Sequence, residues 1–193
     1  MTSTGRRYFD EMYESDGDPW DFESSAYEHR KYALTLASLP RPRYGSAFEP
    51  GCSIGVLTGM LAARCDHLLA TDVVPAALVR ARNRLAPQRH VTLEQRAIPE
   101  EWPEAMFDLI VLSEIAYYFD VSDLARVIAL VVRSTGTGAQ VLGVHWRGVT
   151  DYPLSGDSVH EIIAATPELA PVVHHVETDF VLDVWERRAG TVA

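Results

Sequence analysis

An open α/β fold, a mostly parallel sheet with helices on both faces, is what this chain predicts, and three observations predict it. Its 193 residues and 47% hydrophobic content suit one domain with a real core. From Ser46 onward, short apolar runs alternate with stretches whose apolar residues recur at helical spacing, the rhythm of strands joined by covering helices. The first run ends in the turn EPGCSIG and passes at once into a helix, the corner at which an open sheet lets backbone come close to a ligand.

Residues up to about Pro42 are polar and aromatic. The segment DGDPWDF around Pro19 reads as a loop, and Ser24 or Ser25 caps a helix running from about Ala26 until Pro40 stops it. Ala47 to Glu49 ends the first strand, Leu68 to Thr71 is the second, Val91 to Glu94 the third, Phe107 to Leu112 the fourth and Ala139 to Val144 the fifth. Between them Val56, Leu57, Met60 and Leu61 share a helical face, as do Ala77, Leu78, Ala81 and Leu85 behind Pro75, and Leu124, Val127, Ile128 and Val131. Beyond the fifth strand, GVTDYPLSGD reads as a loop and Ser158 to Ala165 as a short helix. Val172 to Val176 and Phe180 to Trp185 lie close enough in sequence for a hairpin, and residues 189–193 read as a loose tail.

The net charge of −10 and pI near 5.1 argue against nucleic acid, whose binders usually carry a basic stripe, and favour small-molecule chemistry. No apolar run reaches the ~20 residues needed to cross a bilayer. The start MTSTGRRYFDEMY lacks the apolar core of a signal peptide, so the expectation is a cytoplasmic protein with no membrane partner. Cys52 and Cys65 stand without a ligand cluster and read as reduced, mostly buried thiols; no metal is expected.

The glycine turn has a partner further on. Asp72 closes the run HLLATD, 21 residues after Gly51, where a ribose-binding acid is expected about 20 residues from a glycine fingerprint. Its carboxylate can accept hydrogen bonds from both ribose hydroxyls. The turn has neither the Gly-Lys-Ser or Gly-Lys-Thr ending of a nucleotide-triphosphatase loop nor G-x-G-x-x-G. Glu49, ahead of the glycines, would repel phosphate but could contact an ammonium group. A ligand with a ribose and an ammonium but no phosphate is S-adenosylmethionine. A nicotinamide-dependent reductase shares Asp72 but fits Glu49 and the glycine pattern poorly.

Taken together, E-P-G-C-S-I-G, Asp72 and FDLIVLSEIAYY resemble the class I S-adenosylmethionine-dependent methyltransferases. The DPW segment, YEHRKY, GCSIG and SEIAYY together are similar to the nodulation protein S group, most strongly over residues 47–119. That resemblance implies a Rossmann-like, seven-stranded sheet in which the final hairpin supplies one antiparallel strand. It implies a single domain: a lid loop and helix over residues 1–45, a cofactor-binding half over 46–146, and an acceptor-side region with the hairpin over 147–188. The cofactor residues it implies are Glu49, Gly51, Cys52, Ser53, Gly55, Asp72 and Val73, with Ala97 and Ile98 beside the adenine and Ser113 near the methionine part. Arg30 or Lys31 would pair with the cofactor carboxylate, and Trp20 would close the pocket. Ser53 departs from the usual central glycine, which should restrict the loop's backbone.

Methyl transfer from a sulfonium is an in-line displacement, so alignment and desolvation can supply much of the catalysis. An amine acceptor must nonetheless be neutral, and a carboxylate, Tyr or His can take its proton. Glu114, Tyr117 and Tyr118 follow the fourth strand and His145 and Trp146 the fifth, all expected at the pocket rim, with His160 and Asp151 further candidates. Glu114, His145 and Tyr117 are the candidate catalytic residues. The fourth strand ends in Ser-Glu-Ile-Ala, unlike the Asn-Pro-Pro-Tyr type linked with planar nitrogens. The resemblance implies the free amino group of an amino sugar or chitin-like oligosaccharide as acceptor. An oxygen acceptor on a sugar or secondary metabolite, or a cofactor-binding protein without turnover, are the alternatives; either a monomer or a homodimer would serve.

Overall fold

The computed structural model describes residues 2–190, so the last three residues of the expected loose tail lie outside the described residues. In chain order the elements are α1 (Arg6–Ser15), α2 (Ala26–Ser38), β1 (Tyr44–Pro50), α3 (Val56–Ala62), β2 (Cys65–Asp72), α4 (Pro75–Leu85), β3 (Val91–Gln95) and β4 (Phe107–Ser113). A 3-10 turn (Ala116–Tyr118), α5 (Val121–Arg133), β5 (Thr135–Trp146), α6 (Gly156–Ala164), β6 (Leu169–Val176) and β7 (Phe180–Arg187) complete it. The strands form one mixed sheet in the order β3-β2-β1-β4-β5-β7-β6, and β7 runs antiparallel to both its neighbours, as expected. The chain resolves into two compact units, one from Gly5 to Ala97 and one from Ile98 onward together with the residues before Gly5.

In the first unit β1, β2 and β3 run parallel, with Ala47 opposite Leu68 and Leu68 opposite Val91. Ser25 proves to be the cap of α2, accepting from the Glu28 N–H at 3.3 Å, and Pro75 opens α4. The apolar faces predicted for α3 and α4 are the buried ones: Leu57 and Leu61 on α3; Ala77, Leu78, Ala81 and Leu85 on α4. Helix α1 was not expected. It has no side-chain cap and rests on exposed pairs, Arg6 with Asp10 and Arg7 with Glu11, each worth a few tenths of a kcal/mol. What holds it is burial of Tyr13 against Ile54, Val74 and Ala77, with Phe9, Trp20 and Phe22 packed alongside. Cys52 and Cys65 are both buried, and neither is in a disulfide.

In the second unit β4 and β5 are parallel and β5, β7 and β6 form an antiparallel ladder. Asp120 caps α5 through the Asp123 N–H at 2.9 Å, and Ser155 caps α6 through the Ser158 N–H at 3.1 Å. Helix α6 therefore starts at Gly156, before the Ser158 that periodicity suggested. Strand β6 also starts earlier than expected, at Leu169, and contains Pro171; it stands at the end of the strand order, where a missing N–H costs no ladder bond. Leu109, Ile110 and Leu112 of β4, Leu124 of α5 and Trp185 of β7 are fully buried, each worth about 1.5–3 kcal/mol of transfer free energy. Among the described residues no helix is long and apolar enough to cross a membrane.

Candidate functional site

The turn after β1 is bent by three left-handed residues, Gly51 (φ 74), Ser53 (φ 52) and Gly55 (φ 78). At Gly55 space is closed as well: an added Cβ would lie 3.1 Å from the Ala81 Cβ and 3.3 Å from its Cα. Ser53 does not escape the conformation a glycine would take; it adopts it, at roughly 1 kcal/mol or more for a residue with a Cβ. Two hydrogen bonds offset that strain. The Ser53 N–H donates to Asp72 Oδ2 at 2.8 Å, and the Ser53 hydroxyl pairs with the Tyr13 hydroxyl of α1.

Asp72 sits at the end of β2, 8% exposed, and its other oxygen accepts the Val74 N–H at 2.9 Å. Burial raises its carboxyl's pKa and these backbone donors oppose the rise. A carboxylate has about four acceptor sites, so room remains for a ligand hydroxyl. Glu49 is more deeply buried, 1% exposed, and its Oε2 has no hydrogen-bond partner. Burial pushes its pKa up to about 8; the Thr58 hydroxyl opposes this without making a hydrogen bond of good geometry, and the Asp72 charge adds to it. A buried carboxyl with an open oxygen is an unmet demand for a donor, best met by a cation.

The other candidates in this unit differ in burial and partners. Cys52 donates its N–H to the Thr71 carbonyl at 2.9 Å, and burial holds its thiol protonated, which rules out a nucleophile. Val73 and Ala97 are half-buried. Trp20 is half-buried too, its ring 5.7 Å from Tyr13 and 5.5 Å from Phe22, so it anchors its own segment. Arg30 lies exposed on α2, whereas Lys31 is 2% exposed, held by Glu28 Oε1 at 2.8 Å below the Tyr27 ring. Lys31 is therefore already engaged within its own helix. Tyr13 is a site residue that sequence reasoning missed, because it sits on the helix that carried no signal.

In the second unit Ile98 is half-buried and Ser113 is 8% exposed at the end of β4. Glu114, half-buried, accepts the Tyr117 hydroxyl at 3.0 Å and the Trp146 N–H at 2.7 Å through Oε2. Burial raises the pKa of Tyr117, and the Glu114 charge raises it further, so Tyr117 stays a phenol. Tyr117 stacks on Tyr152 at 5.1 Å, and Tyr118 meets both rings edge-on. Tyr152 also lines an open hollow of about 300 Å³ with Arg147, Thr150, Leu154 and Ser155.

His145 departs from its expected place at a rim. It is 0% exposed, with Nε2 accepting the Ala116 N–H at 3.1 Å and Nδ1 2.9 Å from His160 Nε2. With both ring nitrogens engaged, it cannot take a proton from an acceptor without breaking a buried hydrogen bond. Trp146 is 38% exposed and Asp151 is exposed, consistent with surface positions. His160 is buried and bonded to Asp183 Oδ2 at 2.5 Å; Asp183 is a second residue that sequence reasoning missed. Its one available signal was a lone carboxylate inside the apolar run FVLDVW.

The family model described as "Nodulation protein S (NodS)" matches residues 9–142. Nodulation protein S of Rhizobium tropici is 31% identical over 127 residues, covering 65% of this chain and 53% of that protein. That of Bradyrhizobium diazoefficiens is 37% identical over 117 residues, covering 60% and 56% respectively. This chain thus spans about half the length of the curated relatives it matches. A Pseudomonas syringae protein crystallised as a candidate methyltransferase is 44% identical, with a TM-score of 0.76 over 84% of this chain and 100% of that one. The N-methyltransferase NodS of Bradyrhizobium japonicum WM9, crystallised with S-adenosyl-L-homocysteine, shares the fold at 24% identity, with a TM-score of 0.84 over 94% of this chain and 97% of that one.

Proposed function

The chain belongs to the nodulation protein S family, and from that premise we propose that it is an S-adenosylmethionine-dependent methyltransferase acting on an amine of a sugar-like small molecule. One observation carries the cofactor: the buried Glu49 carboxyl, with an oxygen lacking any partner, stands directly before a left-handed glycine turn and near the Asp72 carboxylate. Those groups fit a ligand that brings an ammonium and a ribose diol. Glu49 would hold the ammonium, Asp72 the ribose hydroxyls, and the turn from Gly51 to Gly55 would admit the ligand against backbone. Val73, Ala97, Ile98 and Ser113 keep their assignments beside the cofactor in this reading. Arg30 remains the candidate for its carboxylate.

When bound, the cofactor supplies a methyl group on a positively charged sulfur. For the acceptor the chain provides Glu114, a carboxylate held by two donors on one oxygen, Oε2. It can take the proton from an acceptor ammonium before attack, leaving the neutral amine as nucleophile, or fix a neutral amine by hydrogen bonding. Tyr117 keeps its hydroxyl proton and orients that carboxylate. Tyr118 and Tyr152, both half-buried, offer an apolar surface to a sugar ring, with Tyr117 packed behind them. The name of the relative from Bradyrhizobium japonicum, an N-methyltransferase, favours nitrogen over oxygen as the atom methylated.

Calorimetric titration of S-adenosylhomocysteine into the wild type and Asp72→Ala, followed by radiolabelled methyl transfer to glucosamine oligomers, tests this. Micromolar binding abolished by the substitution and transfer reduced at least tenfold by Glu114→Gln are expected. A folded wild type that binds no S-adenosylhomocysteine overturns the reading.

A further inference from the structure

The direction of a line of buried side chains behind residues 113–118 can be read from one fixed donor. A backbone N–H only donates, so the Ala116 N–H, 3.1 Å from His145 Nε2, makes that nitrogen an acceptor. The single proton of a neutral His145 then sits on Nδ1, 2.9 Å from His160 Nε2, which must accept in turn. His160 is left with its proton on Nδ1, 2.5 Å from Asp183 Oδ2, and a carboxylate oxygen only accepts. Every nitrogen is matched and no ring needs to flip. The reverse direction is closed, because His145 receiving from both sides would have to give up its last proton.

The line is buried along its length: His145 is 0% exposed, and His160 and Asp183 are each 6%. It reaches solvent at the far end, where Asp183 Oδ1 accepts from Nδ1 of His174, a side chain 68% exposed on β6. Among the described residues no three His, Cys, Asp or Glu are grouped to hold a metal ion, so hydrogen bonding accounts for the arrangement. Two consecutive residues of β5 grip the same turn. His145 takes the Ala116 N–H, and the Trp146 N–H donates to Glu114 Oε2 at 2.7 Å. Ala116 itself is 0% exposed, so its amide has no water to turn to when that acceptor is lost.

We propose that His145, His160 and Asp183 are positioning residues, a one-way hydrogen-bond line that starts at Asp183 on β7 and holds the turn bearing Glu114 and Tyr117. His160 passes a direction along this line and never transfers a proton. A glutamine at 160 can keep that direction, with its amide N–H donating to Asp183 and its carbonyl accepting from His145. A leucine of similar bulk cannot. The kinetic consequence rests on the methyl-transfer reading above, whereas the tautomers do not.

The test uses the full chain as wild type, His160→Gln, His160→Leu and Asp183→Asn. Long-range ¹H–¹⁵N spectra at neutral pH read the histidine tautomers, amide exchange reads the Ala116 N–H, and transfer to a fully deacetylated glucosamine tetramer reads the turn. In the wild type, His145 and His160 are expected as neutral Nδ1–H tautomers with a protected Ala116 amide. His160→Gln should keep that protection and transfer within about threefold of wild type, because the direction survives, and Asp183→Asn should follow it through its amide oxygen. His160→Leu should lose at least tenfold in Ala116 protection and at least tenfold in kcat, while S-adenosylhomocysteine affinity stays within twofold. An Nε2–H tautomer at His145 overturns the proposal, as does His160→Gln failing as badly as His160→Leu or His160→Leu behaving as wild type. If the wild type leaves the tetramer unmethylated, the acceptor reading falls alone, and the tautomers and amide exchange still decide the line.

Discussion

Binding of the cofactor at pH 7 should expel nearly one proton, and Glu49 should be its source. With its pKa raised by burial to about 8, the Glu49 carboxyl is about nine-tenths protonated at pH 7 in the free protein. An ammonium arriving at its open oxygen favours the carboxylate, so the proton must leave as the ligand enters. The sign follows directly. Below pH 8 each binding event includes a deprotonation, so affinity rises with pH by up to about tenfold per unit between pH 6 and 8 and levels off above. Calorimetry of S-adenosylhomocysteine in buffers of different ionisation enthalpy measures the release, expected at about 0.9 proton at pH 7 and about 0.1 at pH 9. In Glu49→Gln the release should vanish and the pH dependence flatten, with binding weaker above pH 8. An observed enthalpy independent of buffer in the wild type, or unchanged proton release in Glu49→Gln, would refute the assignment of Glu49 to the ammonium.

The same burial makes the free protein less stable as pH rises. Glu49 ionises from 4.5 when unfolded but only from about 8 when folded, so stability is fullest below 4.5 and falls towards pH 8, by up to about 5 kcal/mol. Urea unfolding of Glu49→Gln should lack most of this slope. Gly55→Ala should cost about 2 kcal/mol or more, combining a left-handed φ of 78 with a Cβ pressed on Ala81, and chemical denaturation will read it. Tyr13→Phe, which leaves the Ser53 hydroxyl without its partner, should cost about 1 kcal/mol in the same assay. Hydrogen bonds from His160 and His174 hold the Asp183 pKa below the usual carboxylate range despite burial, so its contribution is present at neutral pH and lost as pH falls through the folded value. Asp183→Asn should therefore flatten the acid limb of the stability profile.

Much of the first unit was legible because its signals are local. The apolar faces of α3 and α4, Pro75 at a first turn and Ser25 as a cap each depend on residues a few places apart, and Asp72 stands at the end of the next strand run after the glycines. Helix α1 was not legible, since it lacks a cap and takes its stability from Tyr13 packing on Ile54, Val74 and Ala77, residues distant in sequence. The ends of β6 and α6 were misplaced for a similar reason. Whether Pro171 can sit in a strand depends on that strand lying at a sheet edge, and Ser155 becomes a cap only once the preceding loop is folded.

By itself, the sequence determined the open α/β architecture and the turn with its two carboxylates, because strand and helix periodicity and glycine chemistry are written in adjacent residues. Tertiary structure decided what the titratable groups are free to do. Glu49 and His145 both follow from the sequence as polar residues at strand ends, yet one is left with an oxygen wanting a donor and the other has both nitrogens spent. The difference lies in what the fold brings against each of them. Burial and hydrogen-bond partners come from Ala116, His160 and Asp183, up to 38 residues away in the chain, and no local pattern records such a meeting.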